Sequence, residues 1–149
     1  MKKILILAVL LLTASAGLYA QKTMKAIFDK YADDERFSYV SVGKGAFNMV
    51  RSLDVLGDVT KNEKDMIANM TGLKILSLES SPNEAVYSTL LNDVQAATSA
   101  DTHETLVEVR EKGERTEIFV AKDKSEMIII SKDAEDLSII WLQGTPQKK

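Results

Sequence analysis

The chain has 149 residues, of which 45% are hydrophobic, and its formal charge is −3 at pH 7. This length and composition suffice for one globular domain with its own core, and they exclude a fibrous or disordered chain. The sequence contains no cysteine and one histidine. Disulfides, thiolate chemistry and zinc sites that need two histidines are therefore excluded.

The amino terminus has the pattern of a secretory signal peptide. Lys2 and Lys3 precede an apolar run from Ile4 to Leu12, and small residues then lead to Ala20, after which we expect cleavage. An uncleaved membrane anchor is the alternative, but the run is shorter than the roughly 20 residues of a spanning helix. We therefore expect a periplasmic or secreted protein, with no transmembrane segment after cleavage and no lipid-carrying cysteine.

Cleavage would leave residues 21–149 as a single mature domain. It removes Lys2 and Lys3 and no acidic residue, so 17 basic and 22 acidic side chains remain, and 17 − 22 gives a formal charge of −5. Nucleic-acid backbones are bound by clustered Lys and Arg, and the sequence has no such stripe. We expect no nucleic-acid partner.

The first part of the mature chain alternates short helices and strands. Apolar residues that recur every three or four positions predict the helices, and alternating apolar residues predict the strands. The helices begin at Thr23, Lys44, Thr60 and Ser81, and the strands are Phe37–Val42 and Leu73–Leu78. Because helices join these two strands, we expect the strands to be parallel, or separated, within one mixed sheet.

The last third, from Glu104 to Gly144, contains four short segments that are rich in β-branched and aromatic residues. Short polar turns separate them, and Gly113 is suited to a tight hairpin. The four predicted strands are 105–110, 116–121, 126–131 and 137–143. The whole pattern predicts an α+β fold: one domain whose mixed sheet ends in a four-stranded antiparallel meander with helices packed on it, followed by a frayed tail at 144–149.

Both sides of the third and fourth meander strands are apolar, so something must cover both faces of the sheet there. If the helices all pack on one face, either Ile128, Ile130, Ile140 and Leu142 or the opposite set with Trp141 would form an exposed apolar patch. We expect one set to lie under the helix of residues 23–32 or to form a protein interface. The candidate interaction surface consists of Phe119, Ile128, Ile130, Ile140, Trp141 and Leu142.

Catalytic chemistry has few candidates in this sequence. His103 lies in a polar stretch, and we interpret it as a solvated loop residue whose replacement by alanine should leave stability unchanged. The adjacent acidic residues Asp33, Asp34 and Glu35 form the one carboxylate set that could work with it. We assign no catalytic, cofactor-binding or metal-binding residue and expect no cofactor.

Several apolar motifs resemble one known family. They are Phe28 with Tyr31, Phe37–Lys44 with Phe47, Leu73–Leu76, Leu106–Val109 and Ile140–Gly144. Together they resemble the exported Bacteroidota family catalogued as domain of unknown function 4252. The resemblance implies an envelope protein of a Gram-negative bacterium with no assigned reaction. Many relatives carry a lipoprotein cysteine that this chain lacks, so the resemblance does not extend to membrane attachment.

Two classes of function remain. The first is a non-enzymatic periplasmic or envelope module that binds an unknown ligand, another envelope protein or a second copy of itself. The alternative is a small envelope hydrolase that uses the carboxylates of Asp33, Asp34 or Glu35 near His103. The two classes differ in whether these side chains converge in a pocket.

Overall fold

A computed structural model describes residues 23–52 and 69–144 of the chain, and only the backbone of residues 50–52. Within these ranges the chain forms three helices and six strands. The helices are α1 (Met24–Tyr31), α2 (Lys44–Ser52) and α3 (Glu84–Ala97). The strands are β1 (Ser38–Gly43), β2 (Met70–Glu79), β3 (His103–Glu111), β4 (Glu114–Ala121), β5 (Glu126–Lys132) and β6 (Asp136–Gly144).

All six strands belong to one sheet in the order β1-β2-β6-β5-β4-β3, and every pairing is antiparallel. The predicted α+β class with a mixed sheet is therefore wrong, and the fold is largely β. The error lies at the first two strands, since Gly43 at the end of β1 pairs with Gly72 near the start of β2. The chain between them leaves and re-enters at one end of the sheet, which makes neighbouring strands antiparallel.

The four strands of the meander form at the predicted positions and pair in chain order from β3 to β6. Lys112 and Gly113 connect β3 to β4, with φ values of 48° and 87°. Positive φ at both central residues is the geometry of a type I′ hairpin, which matches the right-handed twist of the strands. Glycine at the second position therefore favours the tight turn between β3 and β4, the first two strands of the meander.

The core lies between one face of the sheet and the helices α1 and α3. Thr23 caps α1 by accepting a hydrogen bond from the Ala26 amide, and the apolar side of that helix is buried. Its central residue, Phe28, packs on Trp141 with 5.3 Å between the ring centroids. The sheet contributes the buried side chains Leu76, Leu78, Ile128, Ile130, Leu137, Ile139 and Trp141. We call this side the helix-covered face.

Some of the predicted elements lie partly or wholly outside the described residues. The helix predicted from Lys44 is present as α2 through Ser52, whereas the leader, the helix predicted at Thr60 and the tail after Gly144 lie outside the described residues. The helix α3 begins at Glu84 with Asn83 as its N-cap. The predicted start at Ser81 is wrong because a turn closed by Asn83 N–H and Ser80 C=O precedes the helix.

Candidate binding surface

The second face of the sheet lies opposite α1 and α3, and within the described residues two apolar rows cross it; we call it the open face. Its central row crosses all six strands and contains only valine and isoleucine. In strand order from β1 to β3, it consists of Val40, Ile75, Ile140, Ile129, Ile118 and Val107. None of the six is buried. Val40 at one edge is 47% exposed and Val107 at the other is 43% exposed.

A second apolar row, the groove row, lies towards the end of the sheet where β6 finishes. It consists of Val42, Leu73, Leu142, Met127 and Val120, in strand order from β1 to β4. On β3 the pairing shifts between Thr105 and Val107, which leaves Leu106 as an extra residue. Such a bulge redirects a side chain, and Leu106 joins the groove row with 52% of its surface exposed.

The third row of the open face is built from hydroxyl residues. It consists of Ser38, Ser77, Ser138, Ser131 and Thr116, with Val109 at the β3 edge. The hydroxyl oxygens of Ser77 and Ser138 are 3.1 Å apart, and those of Thr116 and Ser131 are 3.4 Å apart. Two neighbouring pairs of the row are therefore within hydrogen-bond distance, and none of its side chains is charged.

Charged residues lie on both faces of the sheet. The three rows of the open face contain none, but Glu104 lies at its β3 edge, and the row beyond the hydroxyls is acidic and consists of Glu79, Asp136, Glu114 and Glu111. The outer strands also place Glu108, Arg115 and Glu117 on the opposite side, where the guanidinium of Arg115 lies 2.6 Å from Glu117. Soluble monomers rarely expose a continuous apolar surface of this kind.

A groove of about 330 Å³ lies at the end of the open face. Its lining includes the apolar residues Leu106, Val120, Met127 and Leu142 and the polar residues Asn69, Lys124, Ser125, Glu126 and Gln143. A mostly apolar cleft of this size with a few polar groups is typical of binding sites.

Glu126 connects this groove to the core on the other side of the sheet. Its carboxylate accepts a hydrogen bond from Trp141 Nε1 over 2.6 Å and one from His103 Nε2 over 2.8 Å. Trp141 and His103 are 5% and 8% exposed. A buried polar group needs a partner, and the single carboxylate supplies one to each ring, which ties β3, β5 and β6 together.

The interpretation of His103 as a solvated loop residue is wrong. The histidine begins β3 and is buried. Its Nδ1 atom lies 2.7 Å from the Thr102 hydroxyl oxygen, within hydrogen-bond distance. The sequence concealed this because the partner, Glu126, is more than twenty residues away along the chain.

A hydroxyl, an imidazole and a carboxylate in this order also occur in acyl-transfer enzymes. Here Thr102 and His103 are consecutive residues, and their amides both donate to the Ser99 carbonyl, at 3.1 and 3.0 Å. These two N–H groups are therefore not free to stabilise an oxyanion. We interpret the network as structural, although a cavity of about 510 Å³ lies beside it.

The structure does not bring the acidic residues 33–35 and His103 together. His103 and Thr23 line one cavity next to the start of α1, whereas Asp34 follows the end of α1 and is held by Arg36 at 2.9 Å. The eight residues of α1 separate these two ends by about 12 Å. The proximity that the hydrolase hypothesis required is absent from the described residues.

The six residues of the predicted interaction surface are divided between the two faces. Phe119, Ile128, Ile130 and Trp141 belong to or pack against the core, and Ile140 and Leu142 lie on the open face. Grouping Ile128 and Ile130 with Ile140 and Leu142 is wrong, because Ile128 pairs with Trp141 and Ile129 pairs with Ile140. One parity does lie under α1, as expected.

Sequence reasoning missed most of the open face. It did not include Val40, Leu73, Ile75 or Ile118, because their contribution depends on strand order and register across the whole sheet. The available signal was that Val40, Val42, Leu73 and Ile75 are alternating apolar positions whose opposite parity also contains apolar residues.

The family model described as domain of unknown function (DUF4252) matches residues 31–148. The chain belongs to this family. The matched residues of this DUF4252 chain include every strand of the sheet, so they include the open face and the groove. No curated protein and no solved structure matches the chain.

Two further observations concern the described residues only. Residues 23–52 and 69–144 contain no helix that is both long enough and apolar enough to cross a membrane. The same ranges bring no three side chains of His, Cys, Asp or Glu into a group that could hold a metal ion.

Proposed function

We propose that this protein is a non-enzymatic binding module of the bacterial envelope that engages its partner through the open face. The observation that carries the proposal is the continuous apolar surface across six antiparallel strands, whose central row has no buried member. Apolar surface that remains in contact with water favours association with another apolar surface.

Burial of the exposed edge residues would supply part of the free energy that a complex needs. Val40, Leu106, Val107 and Val109 are each roughly half exposed. Completing the burial of these four side chains would contribute about 3 to 6 kcal/mol before the costs of association, taking half of the full-burial value for each. The partly exposed inner residues of the rows add to this. The groove provides a recess for a protruding side chain of the partner.

We further propose export to the periplasm or the exterior of a member of the Bacteroidota, with cleavage after Ala20. The charged start, the apolar run and the small residues before Ala20 support export, and the family membership supports the source. Mass spectrometry of the protein from the envelope fraction tests this. We expect the chain to begin at Gln21, and a chain beginning at Met1 would contradict the proposal.

Photocrosslinking in the bacterium that makes the protein tests the binding surface. A photoreactive benzoylphenylalanine replaces Ile129 at the centre of the open face, and in a matched control it replaces Lys25, an exposed residue of α1 on the other side. We expect discrete covalent adducts from position 129 and none from position 25. Absence of adducts at 129, with the variant folded and exported, would contradict the proposed function.

A further inference from the structure

We infer that the partner of the open face is a second copy of this chain, which binds it face to face as a symmetric dimer. The inference rests on the proposed function, since it requires that the open face be the binding surface. Homodimers with twofold symmetry are the commonest oligomers, and they need a surface that is complementary to itself. The three rows of the open face meet this requirement.

The rows remain chemically matched when the strand order is reversed. A twofold axis parallel to the strands, midway between β5 and β6, places β1 over β3 of the second copy and β6 over β5. The central row reads Val, Ile, Ile, Ile, Ile, Val across the sheet, so it has the same composition in both directions. Val40 then opposes Val107, and Ile140 opposes Ile129.

The same axis sets the hydroxyl row against itself. Ser138 opposes Ser131 of the second copy, and Ser77 opposes Thr116, so the polar border of one copy meets hydroxyl groups that can donate and accept hydrogen bonds. The acidic residues beyond this border, among them Glu79 and Glu114, are exposed at the rim and lie outside the three matched rows.

The size of the surface agrees with a dimer. Six strands spaced about 4.8 Å apart are about 29 Å wide, and three rows two residues apart cover about 20 Å along the strands. The resulting flat footprint of about 600 Å² is on the scale of the ~800 Å² per partner that specific interfaces bury. Two sheets packed in this way would form a sandwich with about 10 Å between them.

The solution mass of the mature chain tests the dimer. We expect light scattering during gel filtration to give twice the mass of the mature chain. The double variant Ile129→Lys, Ile140→Lys places two charges in the centre of each face and should give the monomer mass with an unchanged far-UV circular dichroism spectrum. The matched control Lys25→Ala should remain dimeric. A monomeric wild-type chain would overturn the inference.

Crosslinking tests the geometry without a disruptive variant, and the natural absence of cysteine makes single-cysteine variants clean probes. We expect a short bis-maleimide to join Ile140→Cys chains to Ile129→Cys chains when the two are mixed. We expect no product between Lys25→Cys chains, which carry their cysteine away from the face. If Lys25→Cys chains are crosslinked to each other in the same yield as Ile140→Cys chains are crosslinked to Ile129→Cys chains, the inferred axis is overturned.

The two proposals fail in different ways. If the purified chain is monomeric while the photoreactive residue at position 129 captures a different protein in the cell, the dimer is wrong and the binding function stands. If position 129 captures nothing and the chain is monomeric, both are wrong. Adducts with twice the mass of the mature chain support both.

Discussion

The carboxylate of Glu126 and the indole of Trp141 meet over 2.6 Å at the boundary between the core and the groove. Trp141 is the only tryptophan in the chain, and its ring also packs on Phe28 of α1. The same carboxylate is hydrogen-bonded to His103 Nε2 over 2.8 Å. One acidic side chain thus holds two buried rings in place at the end of the sheet.

Replacement of Glu126 should therefore destabilise the fold. In Glu126→Ala the buried side chains of Trp141 and His103 lose their hydrogen-bond partner, and we expect the free energy of unfolding to fall by about 2 to 6 kcal/mol, at roughly 1–3 kcal/mol for each group. Glu126→Gln keeps one carbonyl acceptor and should lose about half as much. Urea unfolding followed by circular dichroism measures both, with the exposed Glu104→Ala as control. Equal stability of wild type and Glu126→Ala would refute this role.

The His103→Ala variant distinguishes the buried histidine of the structure from the solvated one that the sequence suggested. Its ring nitrogens bind Thr102 and Glu126, so we expect a loss of about 1 to 3 kcal/mol in the free energy of unfolding. The exposed neighbour Asp101→Ala should change it by less than about 0.5 kcal/mol. If His103→Ala unfolds at the same urea concentration as wild type, the hydrogen bonds contribute nothing to stability.

The turn between β5 and β6 should make stability depend on pH through Asp133. Its carboxylate accepts hydrogen bonds from the amides of Asp136 and Glu135 at 2.6 and 2.7 Å, and these bonds lower the pKa of Asp133. A carboxyl with a lowered folded pKa stabilises the fold above its unfolded pKa, near 3.9, and this contribution disappears as the pH falls through the folded value.

Thermal unfolding of wild type and Asp133→Ala between pH 7 and pH 2 measures this contribution. We expect wild type to be more stable by a constant margin above about pH 4, and the margin to shrink below it. The exposed Asp33→Ala serves as control and should follow wild type throughout. A margin that is unchanged at pH 2 would mean that the ionised carboxylate does not stabilise the turn.

The sequence was sufficient to predict the meander, because four β-rich segments with short turns leave few alternatives and Gly113 supplies the positive φ that the first hairpin requires. It was not sufficient for the first two strands. Long segments between strands are compatible with either a parallel crossover or an antiparallel return. The pairing of β1 with β2 in the structure, from Ser38 with Ser77 to Gly43 with Gly72, distinguishes them.

The two faces were confused for a simpler reason. If the turn between β5 and β6 contains five residues, from Lys132 to Asp136, then even-numbered residues of both strands share a face. In the structure Lys132 pairs with Leu137, so the turn contains four residues and even-numbered residues of β5 share a face with odd-numbered residues of β6. Because side chains alternate, an error of one residue exchanges the core with the open face.

Maleimide labelling in the intact envelope tests the role of the open face most directly. Val107→Cys introduces the only cysteine at the β3 edge of the central row, where the wild-type side chain is 43% exposed. The labelling rate of this variant is compared with that of the triple variant that also carries Ile129→Lys and Ile140→Lys. Lys25→Cys, with and without the same two lysines, corrects for differences in how well the reagent reaches the protein. We expect slow labelling of Val107→Cys when the partner is bound and several-fold faster labelling when the two lysines exclude it. Equal rates in the two backgrounds would show that nothing binds this face in the cell.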